Sequence, residues 1–226
     1  MTRKKDHGQV EILRDEYGVG HIYADTLEGM CYAHGYVQAE DRLDDVMKNF
    51  IRAEGRLAEF FGEPFVVDDL AVHHHLDSRT VDEAFSKLDD DVARCISAFA
   101  GGIQRAIDDG VARMPSYGEP PTPYRVFRLA MWMSTWWSFM HSEEGRRSET
   151  AISHYRPIGS SGVIIGTSRT HDGSVLATID PHTNYWETWN WYEVHLHAPD
   201  VGVFGYTLCG MPFVVMGHTE SVSWTA

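Results

Sequence analysis

The sequence predicts an α+β fold with its helices first and its strands last, and three observations carry that prediction. Phe85, Leu88, Val92, Ile96, Phe99, Ile103 and Ile107 recur at steps of three and four, which marks one face of a helix over roughly 82–109. The segment 124–141 is apolar nearly all round and rich in Trp and Met, as a buried helix is. After Gly159, short apolar stretches at 163–166, 175–179, 189–197, 203–208, 213–216 and 221–224 follow one another, separated by Gly, Asp, Pro and Asn turn signals, which predicts a sheet.

The remaining elements follow in order. Val10-Glu-Ile-Leu-Arg-Asp15 alternates with the period of a strand, Glu16-Tyr-Gly18 supplies a turn, and His21-Ile-Tyr-Ala24 completes a hairpin. From Leu27 to about Phe61 the composition turns to Ala, Glu, Leu, Met and Arg; Asp25-Thr26 can cap the entry and Gly62-Glu-Pro64 can stop the run, with interruptions expected at Gly35 or Gly55. Four prolines and a glycine in 114–123 separate the two later helices, and the polar run 143–150 divides the chain by composition. The organisation expected is a mainly helical region over 1–142, a linker over 143–159 and a sheet-forming region over 160–226. Val222-Ser-Trp-Thr-Ala226 reads as the middle of a strand, so the chain is expected to be a truncated part of a longer one.

Composition narrows the function. Of 226 residues 43% are hydrophobic and 23% charged, which excludes intrinsic disorder and coiled coil. Nineteen Lys and Arg against 33 Asp and Glu give a net charge of -14, so nucleic acid and anionic membrane are not expected as partners. No apolar run reaches the roughly 20 residues of a membrane span, and no export signal is visible. Cys31, Cys95 and Cys209 lie far apart, without the spacing of a zinc or redox motif, and allow at most one disulfide. There is no Walker loop and no G-x-G-x-x-G, and Gly159-Ser-Ser-Gly162 has the wrong spacing for a nucleophile elbow. His73-His-His75 reads as a solvated or supporting run rather than a metal site, because adjacent side chains point different ways.

Ser160 is the chemical candidate. It stands between a polar segment and the first strand of the sheet, where a cut would not disturb a core. Cleavage between Gly159 and Ser160 would create an α-amine with an ordinary pKa of ~7.7–8.0, able to take the proton of the adjacent hydroxyl directly or through one water. One residue would then supply both nucleophile and base. Spacing alone leaves a tight loop as the plainer reading of Gly-Ser-Ser-Gly.

Three further segments bear on the choice. Val10-Glu-Ile-Leu-Arg-Asp-Glu-Tyr-Gly-Val-Gly-His-Ile-Tyr-Ala24, Gly35-Tyr-Val-Gln-Ala-Glu-Asp-Arg-Leu43 and Gly55-Arg-Leu-Ala-Glu-Phe-Phe-Gly62 together resemble the amino-terminal signature of the penicillin acylase family. Gly159-Ser160, Ser168-Arg-Thr170, Gly173, Asp180-Pro-His182, Gly210-Met-Pro212, Gly217-His218 and Ser223-Trp224 continue the likeness in order. Three positions depart from the family pattern: Ser161 stands where Asn is usual, Thr219 where Gly-His-Asn is usual, and Gly20 in place of a Pro.

The resemblance implies an N-terminal-nucleophile hydrolase with an αββα sandwich, made as a precursor that cuts itself before Ser160, and an amidase that releases an acyl group from an N-acylated small molecule such as a β-lactam, an acyl-homoserine lactone or a lipopeptide. It places His182 beside the new terminus in a supporting role, and it puts the oxyanion donors beyond residue 226. It makes Met133, Trp136, Trp137 and Met140 on the apolar helix, with Thr183, Val215 and Met216, the candidates for substrate contact, although an apolar helix is first of all a core helix. No cofactor is implied for catalysis. A structural calcium ion occurs in some members, and Glu143 or Glu144 would be its ligand here, against the plainer reading of a solvated charge pair. The partners implied are the small-molecule N-acyl substrate and the remainder of the same β chain; the family's location is periplasmic or extracellular. The alternative is a catalytically inert fragment or unprocessed precursor.

Overall fold

A computed structural model describes residues 8–140, 159–183 and 190–225. The chain opens with strands β1 (Val10–Arg14) and β2 (Gly20–Ala24), paired antiparallel. Asp15 sets the turn between them, its Oδ1 accepting from the N–H groups of Tyr17 and Val19 at 2.9 Å each, while Gly18 takes the positive φ of 83° that the reversal requires.

Helix α1 (Leu27–Ala53) follows, and Thr26 caps it by accepting from the Gly29 N–H at 3.0 Å. The two expected interruptions fare differently. Gly55 does end the helix, at φ 68°, but Gly35 is helical and buried, and the kink falls instead at Arg42 (φ -143°). Beside the kink, Asp41 is held by the hairpin's Arg14, whose Nη1 and Nη2 donate to its two carboxylate oxygens at 2.8 and 3.0 Å, and by the Tyr192 hydroxyl at 2.7 Å.

The short α2 (Leu57–Phe61) ends at Gly62, and α3 (Val66–His75) packs behind it. Asp69 of α3 caps α2 from outside, accepting from the Leu57 and Ala58 N–H groups at 2.8 and 2.7 Å, which satisfies donors that a helix start leaves open. The single helix expected over 82–109 is two, α4 (Ser78–Phe85) and α5 (Asp90–Asp108). Asp89 interrupts the apolar periodicity by capping α5, accepting from the Asp91 N–H at 2.9 Å, so Phe85 and Leu88 reach the core from before the break. Pro123 opens α6 (Pro123–Met140), where its missing N–H costs nothing.

The strands do not keep to the last third of the chain. Strands β5 (Trp191–Ala198), β6 (Val201–Leu208), β7 (Met216–His218) and β8 (Ser223–Trp224) join the opening hairpin in one sheet of order β1-β2-β5-β6-β7-β8. All its pairings are antiparallel except β2 with β5, which run parallel from Gly20↔Val194 to Tyr23↔His197. The compositional division at 143–150 is therefore not a division of the core. Tyr192, Val194, Leu196 and Ala198 alternate into the helical layer, where they meet Ile22, Phe50 and Phe99, while Trp191, Glu193, His195 and His197 face the other way.

Strands β3 (Gly159–Ile165) and β4 (Leu176–His182) form a separate antiparallel hairpin. It approaches the sheet beside β8, where a Cβ on Gly162 would come 2.8 Å from Thr225 Cγ2, and Val163, Ile164 and Leu176 are exposed. The helices cover one face of the six-stranded sheet, and the expected α+β class holds. No described helix is long and apolar enough to cross a membrane.

Candidate active site

Ser160 is the second residue of β3, directly opposite Pro181, and it is half-buried. The Gly159–Ser160 bond thus lies at the first ladder position of the hairpin, opposite the end of β4. Because side chains alternate along a strand, Ser160 shares a face with Gly162, and Ser161 takes the opposite one. A Cβ on Gly162 would come 2.8 Å from Thr225 Cγ2, and Thr225 Oγ1 lies 3.8 Å from Met216 Sδ. The Ser160 face of β3 is therefore the face turned toward β7 and β8. There the Trp224 indole donates to the Val215 carbonyl at 2.9 Å, and Thr225 meets Met216 of β7.

The opposite face holds a second polar group. Ser161 Oγ and Asp180 Oδ2 lie 3.3 and 3.1 Å from the same nitrogen, Nε2 of His182. A Ser-His-Asp relay needs its carboxylate on one ring nitrogen and its hydroxyl on the other, so this trio cannot pass a proton along the ring. It is also exposed. His182 is thus next to the Gly159–Ser160 bond in register, opposite Gly159, with its side chain on Ser161 rather than on Ser160.

The other candidates divide by location. Thr183, one residue beyond β4, accepts from the Trp191 indole at 2.8 Å. Met133 and Trp136 are buried in α6, where Trp136 stacks on Trp132 with ring centroids 6.0 Å apart and lines a small crevice against Ala71, Val72 and Leu76 of the α3 region; Trp137 is half-buried. In the described contacts α6 packs on α1, α3, α4 and α5, and Met133 and Trp136 are buried in that helical core. The Met140 side chain and both calcium candidates, Glu143 and Glu144, lie outside the described residues, and among the described residues no three His, Cys, Asp or Glu are grouped to hold a metal. In the histidine run, His73 is bonded to the Gly55 carbonyl at 3.0 Å, and His74 and His75 stack edge to face.

Sequence reasoning left without a role a set of buried polar side chains on α1 that bind the turn after β6. Asn49 donates to the Cys209 carbonyl at 2.8 Å, Gln38 accepts from the Gly210 N–H at 2.8 Å and donates to the Met211 carbonyl at 3.0 Å, and His34 reaches the Pro212 carbonyl at 3.2 Å. From the other side Thr207 donates to the Phe213 carbonyl at 2.7 Å. Gln38 and Gly210-Met-Pro212 belong to two of the sequence segments singled out above. Their joint appearance was the available signal.

The family model described as Penicillin amidase matches residues 9–226. The chain belongs to the penicillin amidase family. It is 24% identical to aculeacin-A acylase of Actinoplanes utahensis over 99% of this chain and 34% of that protein. It is likewise 24% identical to the acyl-homoserine lactone acylase PvdQ of Pseudomonas putida over 95% of this chain and 32% of the relative. The likeness to penicillin G acylase of Escherichia coli, 29% identical, covers 46% of this chain and 12% of that one. Among solved structures, a thermostable penicillin G acylase from Alcaligenes faecalis matches with a TM-score of 0.49 at 21% identity, over 64% of this chain and 89% of the solved one. The chain spans about a third of the length of the relatives that it matches along nearly its whole extent. Those penicillin amidase family relatives are acylases.

Proposed function

We propose that this chain carries the nucleophile of an acylase that is activated by its own cleavage between Gly159 and Ser160 and then releases an acyl group from an N-acylated small molecule. The observation that carries the reading is the seat of Ser160: it is the second residue of β3, with its side chain on the face turned toward Thr225 and Met216, in a chain that matches the penicillin amidase family from residue 9 to 226.

The chemistry follows from that seat. In the cut protein Oγ of Ser160 attacks the amide carbonyl carbon, and the α-amine of the same residue, with an ordinary pKa near ~7.7–8.0, takes the hydroxyl proton. Collapse of the tetrahedral adduct breaks the C–N bond, the amine product leaves with that proton, and the acyl ester remains on Oγ. Water, deprotonated by the same α-amine, attacks the ester and releases the acid. Val215 and Met216, held beside Trp224 and Thr225, are the apolar residues assigned to the acyl chain. His182 supports the strand end through Ser161 and is not the base.

The test uses the full reading frame from which these residues come. The purified product is expected to separate into two polypeptides under denaturing conditions, the second beginning Ser-Ser-Gly-Val. Ser160→Ala should abolish both cleavage and amide hydrolysis, and Ser160→Cys should retain some cleavage, since a thiol can make the same attack. Hydrolysis that survives Ser160→Ala would end the proposal. A second reading, that this stretch by itself turns nothing over, is favoured by its spanning about a third of its relatives, and a single uncut mass with no activity would support it.

A further inference from the structure

The three cysteines are buried and free, at 1% exposure for Cys31, 2% for Cys95 and 1% for Cys209. Cys209 stands apart, with its Sγ 3.8 Å from the Asn190 carbonyl. The other two face each other across the closest helix pair in the molecule. Helices α1 and α5 run in the same direction: Arg94 near the start of α5 pairs with Glu28 near the start of α1 at 2.9 Å, and the Tyr36 hydroxyl donates to Asp109 at the end of α5 at 3.3 Å. Their backbones touch. A Cβ on Gly35 would lie 2.1 Å from the Phe99 carbonyl oxygen, and one on Gly102 would lie 1.9 Å from that of Tyr32.

Cys31 is one turn before Gly35 and Cys95 one turn before Phe99, so both thiols lie on the faces that meet at this contact. The neighbouring Cys95, together with burial, holds the Cys31 proton on well above the ordinary thiol range, while Cys31 pulls the Cys95 pKa down. A disulfide needs Cα atoms within roughly 4.4–6.8 Å, a separation that side-chain-bearing helices rarely reach and glycine contacts allow.

We propose that Cys31 and Cys95 form a dithiol site that a small-molecule disulfide oxidises to an internal disulfide, tying α1 to α5. The Cys95 thiolate attacks one sulfur of the oxidant and expels one thiolate. Cys31 then gives up its proton and attacks the Cys95 sulfur of the mixed disulfide, expelling the second. Two protein thiols are oxidised, one oxidant disulfide is reduced to two thiols, and both protein protons pass to those products. Because both sulfurs are buried, the exchange takes place during folding or in local opening. The closed loop contains all of α2, α3 and α4, so the tie restrains the unfolded chain and stabilises the native one. This site is independent of the acylase reading.

The experiment refolds the full chain from denaturant in oxidised and reduced glutathione, alkylates, and counts free thiols after unfolding. One free thiol per chain is expected, located at Cys209, with a Cys31–Cys95 cross-link in the peptide map and a melting temperature above that of the reduced protein. Cys209→Ser should leave the cross-link in place, and Cys95→Ser should remove both the cross-link and the rise in melting temperature. Three free thiols after oxidative refolding, a cross-link that includes Cys209, or glutathione adducts in place of the internal bond would each overturn the proposal.

Discussion

Gln38 holds Gly210 and the residue after it with both ends of one amide: Oε1 accepts from the Gly210 N–H at 2.8 Å while Nε2 donates to the Met211 carbonyl at 3.0 Å. The two residues are separated by most of the chain, one on α1 and one just after β6, and they lie on opposite sides of the Gly159–Ser160 bond. Gly210 adopts φ 95°, and a Cβ there would come 2.9 Å from Leu129 Cδ2, so the turn can pass beneath α6 only as glycine. Gln38→Leu would keep the volume but leave the Gly210 N–H and the His34 ring nitrogen without partners in a buried site, and the Met211 carbonyl with only the Thr207 hydroxyl at 3.3 Å. A loss of about 3 kcal/mol is expected, since each buried unsatisfied group costs roughly 1–3 kcal/mol. The urea midpoint of the variant measures it, and an unchanged midpoint would show that water replaces the amide.

The neighbouring His34 makes the same network sensitive to acid. It is fully buried, its Nδ1–H donates to the Pro212 carbonyl, and its Nε2 accepts from Gln38 at 2.7 Å. Burial lowers its pKa from 6.5 to about 4, against the opposing pull of the Pro212 carbonyl. A second proton would also set an N–H against the Gln38 amide. With the folded pKa below the unfolded one, the stabilisation is complete above pH 6.5 and is lost as pH falls from 6.5 to about 4. Roughly 3 kcal/mol is at stake, from 1.36 kcal/mol per unit. Urea unfolding at pH 7 and pH 4.5 should show a large difference for the native chain. His34→Asn, which can still donate to Pro212 but does not titrate, should show a smaller difference.

Gly101 and Gly102 are adjacent in α5 and should respond oppositely to one methyl group. Gly102 is pressed on the Tyr32 backbone, where a Cβ would be 1.9 Å from the carbonyl oxygen. At Gly101 the nearest atom, Tyr32 Cε2, would be 3.7 Å away, an ordinary contact. Gly102→Ala must separate α1 from α5 and should cost more than about 3 kcal/mol or prevent folding, as overpacking against backbone does. Gly101→Ala should stabilise by about 0.5–1 kcal/mol through helix propensity. Thermal melts of the two variants, measured together, decide whether the contact is as tight as the geometry states.

The parts of this fold that were legible in sequence are those set by local chemistry. Residues 10–24 carry a period-two pattern around an Asp-Glu-Tyr-Gly turn, and the hairpin forms where it is read. Caps such as Thr26 and stops such as Gly55 act on their own neighbours. What was not legible depends on distant partners. The kink at Arg42 adjoins Asp41, which distant Arg14 and Tyr192 claim, and the break before α5 depends on Asp89 choosing a cap over the apolar repeat. The parallel pairing of β2 with β5 joins segments that composition assigns to different regions. At the site, alternation along β3 separates Ser160 from Ser161, but only the hairpin register places His182 on the Ser161 side.

That separation of faces leads to a prediction within the acylase proposal. Ser161 supplies one of the two partners of His182 Nε2, and Asp180 supplies the other, on the side of the hairpin away from Ser160. If Ser160 alone carries the nucleophile, Ser161→Ala in the full reading frame removes one exposed hydrogen bond, which is worth about 0.5–1.5 kcal/mol at most. Asp180 still holds the ring, so cleavage before residue 160 should continue, slowed by less than about tenfold, because 1.4 kcal/mol corresponds to a factor of ten. His182→Gln, which can keep one hydrogen bond to Ser161 but has no ring, should slow cleavage further without abolishing it. A time course of band separation under denaturing conditions gives both rates. Complete loss of cleavage in Ser161→Ala alongside normal folding would move the nucleophile, or its base, to the face that holds His182.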